Sequence, residues 1–137
     1  PWKKYFNGSW SQPGMNGKFT ALNLAPQGFL HGDAAYNTHL KQFVMVTRTG
    51  KVMPAGGRGK QSSIVISFSR DGLVWSDWRT IHQDNHLHDY PSIVSTGADN
   101  ELTGKSFWVY YKYFYDSVLP RIDWGKNRWD RTLITLE

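Results

Sequence analysis

The 137 residues carry a net charge of +5, no cysteine, and 15% aromatic residues against 20% charged ones. That balance argues against disorder, rules out disulfides and thiolate metal sites, and leaves no apolar run near the roughly 20 residues needed to cross a bilayer, so no membrane partner is expected. A core is still affordable with few aliphatics, because each buried ring removes roughly 150–250 Å² from water.

Gly, Pro, Asn and Asp interrupt short apolar blocks every 8–12 residues, which predicts an all-β chain without a long helix. Residues 3–10 read as a strand, 11–17 as a turn and 18–24 as a second strand. Residues 34–37 and 42–49 form a hairpin joined at 38–41. Residues 53–60 are a glycine-rich loop. Residues 62–69 and 78–81 pair across Asp71–Gly72, and 91–96 pairs with 106–115 across 97–104. A loop at 116–130 leads to a last strand at 131–136.

Two stretches repeat. His31–Gly–Asp33–Ala–Ala–Tyr36 and His88–Asp89–Tyr90–Pro–Ser–Ile93 each place His and Asp before a short apolar strand, with 56 residues between Asp33 and Asp89. A period near 50 residues with about four strands per unit is the signature of propeller blades. Nine predicted strands make little more than two blades, and a bare pair of blades would leave open sheet edges. The chain is therefore expected to be part of a longer protein or to assemble as a homo-oligomer, and its start at Pro1 fits a processed or excised piece. A β-sandwich is the alternative fold.

Ser69–Arg–Asp71–Gly–Leu–Val–Trp75 resembles a shortened Asp box, the structural hairpin of sialidase-like propellers. Asp89–Tyr90–Pro91–Ser92–Ile93–Val94 resembles the opening of an inner strand in the five-bladed β-propeller glycoside hydrolases. Asp33–Ala–Ala–Tyr36–Asn37 matches that opening loosely, and residues 41–46 and 106–111 look like second strands of such blades. The resemblance covers most of residues 29–136. It implies a carbohydrate-active protein, a glycoside hydrolase or close relative, in an extracellular or periplasmic setting.

It also implies a site at the channel mouth. There Asp33 and Asp89 form the acid/base pair that glycoside hydrolysis requires, while His31, Arg58, His86, His88, Arg121 and Arg128 contact substrate and Trp124 stacks on a sugar ring. The bland alternative is that each Asp caps a loop amide or pairs with a nearby Arg. The general-acid Glu of the family has no counterpart, since the only glutamates are Glu101 in a turn and Glu137. No cofactor is expected. His86–Leu–His88, joined by His31, invites a metal reading, but His-x-His is common by chance and the set is left as loop histidines. The other readings are a non-catalytic carbohydrate-binding module and, ranked last, a basic nucleic-acid-binding β-domain. The scattered basic residues suit an anionic sugar as well as a phosphate backbone.

Overall fold

A computed structural model describes residues 1–22, 30–50, 62–84, 86–99, 101–115 and 123–137. Ten strands run through them and no helix: β1 (Lys3–Phe6), β2 (Ser9–Pro13), β3 (Leu30–Asn37), β4 (Gln42–Gly50), β5 (Ser62–Ser69), β6 (Arg79–Gln83), β7 (Leu87–Ser95), β8 (Leu102–Thr103), β9 (Ser106–Phe114) and β10 (Asn127–Thr135). The expected all-β class holds.

β3 to β6 follow one another as an antiparallel meander, and β8 is added parallel to β3 on its outer side, giving the order β6-β5-β4-β3-β8. A second meander, β7-β9-β10, is antiparallel throughout. β7 lies against β3, β4 and β5, so the two sheets pack on each other. Their shared core contains Val44, Val46, Ile64 and Ile66 from one sheet and Ile93, Phe107, Val109 and Tyr111 from the other. β9 shows how sequence sets this packing. With a period of two, Phe107, Val109 and Tyr111 face the core, while Trp108, Tyr110 and Lys112 face outward.

Local chemistry fixes the turns. Asn7 and Gly8 have positive φ (46° and 89°), the pair a two-residue hairpin turn favours. They split the expected strand at 3–10 into the β1–β2 hairpin, and the described part of the expected strand at 18–24 is not extended ladder but a segment tied to β1 through Thr20 N–H to the Tyr5 carbonyl (2.9 Å). At the β3–β4 turn, Asn37 Oδ1 accepts the Leu40 N–H at 2.7 Å. The Asn37 Nδ2 group donates to Thr103 Oγ1 (2.9 Å) and to the Gly104 carbonyl (2.7 Å), fastening β8 to β3.

The Asp71 turn joins β5 to β6, the third and fourth strands of their meander. Asp71 Oδ1 accepts the N–H groups of Leu73 (2.8 Å) and Val74 (2.9 Å), and Trp75 Nε1 donates to the Gly72 carbonyl (3.1 Å). Those backbone donors hold the Asp71 carboxyl below its usual value. The residue is committed to the turn. The glycine-rich loop at 53–60 lies outside the described residues.

Candidate functional site

Alternating strand directions bring to one end of the sheets the starts of β3, β5, β7 and β10 and the ends of β4, β6 and β9. His31, Arg48, His82, His88, Asp89, Tyr113 and Arg128 all sit there. A groove of about 760 Å³ is at the opposite end, lined by Leu40, Phe68, Asp77, Arg79 and Leu136 among others. It holds no histidine and no buried polar group, whereas the first end concentrates both. The site is therefore placed by chemistry, not by the size of the groove.

Two strand irregularities build the first half of this end. β3 is bulged against β4 at His31, and β7 is bulged against β9 at Tyr90–Pro91. Both bulges use a non-glycine residue in the left-handed region, His31 at φ 51° and Tyr90 at φ 54°. That conformation costs an L-residue roughly 1–2 kcal/mol. The two rings stack with centroids 4.6 Å apart, and Tyr90 stays 43% exposed.

Behind the stack lies Asp89, whose side chain is only 5% exposed. Its Oδ1 accepts from His31 Nδ1 (2.9 Å) and from the Tyr90 N–H (2.8 Å), and its Oδ2 accepts from Arg48 Nη1 (3.2 Å). Asp33 is equally engaged. Its Oδ1 accepts the Ala34 N–H and its Oδ2 accepts the Ile93 N–H, both at 2.9 Å. Thus the two repeated openings do converge, since Asp33 and His31 on β3 reach across the sheets to β7. The carboxylates meet backbone amides and Arg48 there, the arrangement expected if each Asp is an anchor.

The second half points the other way from the same strand. His88, fully buried, alternates with Asp89 and faces β5 and β6. Ser62 clamps its backbone, with Oγ donating to the His88 carbonyl (2.9 Å) and accepting its N–H (2.6 Å). His88 Nε2 lies 3.0 Å from His82 Nε2 and 3.4 Å from Asp84 Oδ1, and His82 Nε2 lies 3.9 Å from Asp84 Oδ2. Their ligating atoms all fall within 4.8 Å of one another. Burial pushes His88 below its usual value of 6.5 although the Asp84 charge opposes it, so the ring is held neutral near pH 7. Partial burial works most strongly to raise the Asp84 carboxyl, but the His86 N–H donated at 2.7 Å and the neighbouring His88 and His86 rings together outweigh it, and the group lies below its usual value.

The remaining expected residues distribute as follows. His86 Nδ1 bonds to the Tyr113 hydroxyl (2.8 Å), and Arg128 lies over the Tyr113 and Tyr115 rings at 4.9 and 5.3 Å while pairing with Asp130 (3.2 Å). Trp124 is 58% exposed, edge-on to Phe114. Arg58 and Arg121 lie outside the described residues. The single mouth expected from the resemblance is therefore two adjoining clusters back to back across β7. His31 belongs with Asp89 and not with the other histidines, so the set His31, His86, His88 weighed for a metal is not the one that converges. Arg48, His82, Asp84 and Tyr113 were missed. For His82 and Asp84 a signal existed: His82, Asp84, His86 and His88 alternate strictly in the sequence.

Comparison of the chain with protein-family models, with curated proteins and with solved structures gave no match.

Proposed function

We propose that this chain is part of a carbohydrate-active protein related to the five-bladed propeller glycoside hydrolases, and that the His31–Tyr90 surface binds a sugar. One observation carries the reading. Two non-glycine residues take a strained backbone conformation at facing bulges, and the outcome is a half-exposed pair of stacked rings. Strain of this kind concentrates at ligand clamps. Proline at 91 sharpens the point, because the residue before proline ordinarily favours extended backbone. A flat ring face suits the C–H face of a pyranose, and the His31 imidazole beside it suits hydroxyl groups.

Two further features support the reading. The meander order β3 to β6, followed by β7, β9 and β10, is the order that consecutive blades present, with the Asp71 turn between third and fourth strands. Arg128 and the exposed Trp124 flank the same end and suit an anionic sugar. Because both oxygens of Asp33 and of Asp89 already accept hydrogen bonds, the role proposed for this surface is binding, with Asp33 and Asp89 as its anchors in place of an acid/base pair.

The test is retention on affinity gels and calorimetry with soluble neutral and uronate polysaccharides, alongside assay of reducing-sugar release. Tyr90→Gly keeps the backbone conformation and removes the ring. It is expected to leave the melting temperature within a few degrees and to weaken glycan binding at least tenfold. Arg128→Gln should weaken only the uronate polymers. Failure of every glycan to bind, or a Tyr90→Gly variant with unchanged affinity, overturns the proposal.

A further inference from the structure

The chain holds a second constellation that carbohydrate binding does not use. We propose that His82 Nε2, His88 Nε2 and the Asp84 carboxylate form a three-ligand site for a divalent transition ion of the zinc type, with the fourth position open to water or a substrate atom.

The spacing carries the first part of the argument. Zinc bonds nitrogen and carboxylate oxygen at about 2.0–2.2 Å, so ligand atoms at the corners of a tetrahedron stand roughly 3.3–3.6 Å apart. His88 Nε2 stands 3.0 Å from His82 Nε2 and 3.4 Å from Asp84 Oδ1, close to that value. The other carboxylate oxygen, Oδ2, stands 3.9 Å from His82 Nε2, and one ligand atom from each residue lies within 4.8 Å of the other two. The chemistry of the donors carries the second. Imidazole nitrogen with a single carboxylate suits zinc, copper or nickel, and is a poor set for calcium or magnesium, which take oxygen.

Proton placement carries the third. His88 Nδ1 stands 3.4 Å from the Ser62 carbonyl, an acceptor, while its Nε2 stands near the Asp84 carboxylate, also an acceptor. An ion held at Nε2 leaves Nδ1 to carry the ring proton, directed at the Ser62 carbonyl. A ligating histidine whose other nitrogen donates to a backbone carbonyl is the usual support of a metal site.

The fold places the three ligands with little freedom. His88 is fully buried at the base, gripped by Ser62 and packed edge-on against Tyr111 and Tyr113. The His82 ring is stacked on Tyr111 at 4.9 Å. Asp84 forms the rim, 37% exposed, and so gives the ion a way in. His86 stays just outside, bonded to Tyr113 and near Asp84 (3.3 Å), positioned to steer whatever occupies the open position.

This inference does not depend on the sugar-binding reading, and its test has its own readout. The full chain, stripped by a chelator and dialysed, is titrated with Zn²⁺ by calorimetry, and Co²⁺ is added separately to read the visible absorption of a four-coordinate cobalt site. One ion per chain is expected, together with the cobalt band. His82→Ala and Asp84→Asn, both at partly exposed positions, should lower zinc affinity at least 100-fold with the melting curve of the metal-free protein preserved. His39→Ala, in the exposed β3–β4 turn, should bind as the parent does. His88→Ala removes a buried ring and serves only as a third variant if it folds. The proposal falls if no saturable binding occurs, if His82→Ala and Asp84→Asn bind zinc as tightly as the parent, or if Ca²⁺ binds more tightly than Zn²⁺.

Discussion

Changing Asp89 to Asn separates an anchoring carboxylate from a reacting one. The substitution keeps the shape and leaves an acceptor for the Tyr90 N–H, but replaces the oxygen facing Arg48 Nη1 with a donor. Arg48 is then a nearly buried guanidinium without its counter-charge, and its Nε already lacks a hydrogen-bond partner among the described residues. Removing one member of a buried pair costs about 3–5 kcal/mol. Arg48 keeps 14% of its side chain exposed and His31 keeps 50%, so the low end applies, about 3 kcal/mol. Urea unfolding followed by tryptophan fluorescence should show that loss. The double variant Asp89→Asn/Arg48→Met should recover at least half of it, because the stranded charge is gone. An Asp89→Asn protein within about 1 kcal/mol of the parent that had also lost glycan turnover would refute the argument and return Asp89 to catalysis.

Asn37→Ala removes three hydrogen bonds, a buried one to Thr103 and partly buried ones to Leu40 and Gly104. It should cost about 3 kcal/mol, on the order of 10 °C in melting temperature by calorimetry. Asp71 has its carboxyl pulled below the usual 3.8 by the Val74 and Leu73 N–H groups. Its contribution is therefore present above pH 3.8 and lost as pH falls through the lower folded value. Melting curves between pH 5 and about pH 2.5 should show a steeper acid decline for the parent than for Asp71→Asn, and parallel curves would count against the turn as described.

Some of this architecture is written locally. The alternation of residues 106–114 and the apolar block at 62–69 define central strands by periodicity alone, and Asp71–Gly72 defines a turn. Asn7–Gly8 was equally local, but the aromatic residues on both sides masked the turn inside what looked like one strand. β8 was not legible, because two residues in a polar turn become strand only through a parallel pairing with β3 that their own sequence does not announce. At the site, convergence of the two His/Asp openings followed from their repeat. The division of labour did not. Whether a carboxylate is an anchor depends on donors such as Arg48 and the Ile93 N–H, which lie 41 and 60 residues away in sequence. The alternating histidines were visible as a pattern, yet only the end of β6 meeting the start of β7 turns that pattern into a cluster.

The fastening of β8 to β3 also bears on how the protein is made. Synthesis delivers β3 to β6 first, and that meander can assemble while later residues are still inside the ribosome. Among the described residues its β3 edge then has no strand partner until Thr103 emerges, since Asn37 and Thr103 are 66 residues apart in sequence. Contacts of such long separation form late, and an unpaired strand edge is a template for other chains. The nascent chain thus passes through a window in which the β3–β6 meander is assembled with its β3 edge exposed, and a two-residue strand lying between β7 and β9 in sequence later covers that edge.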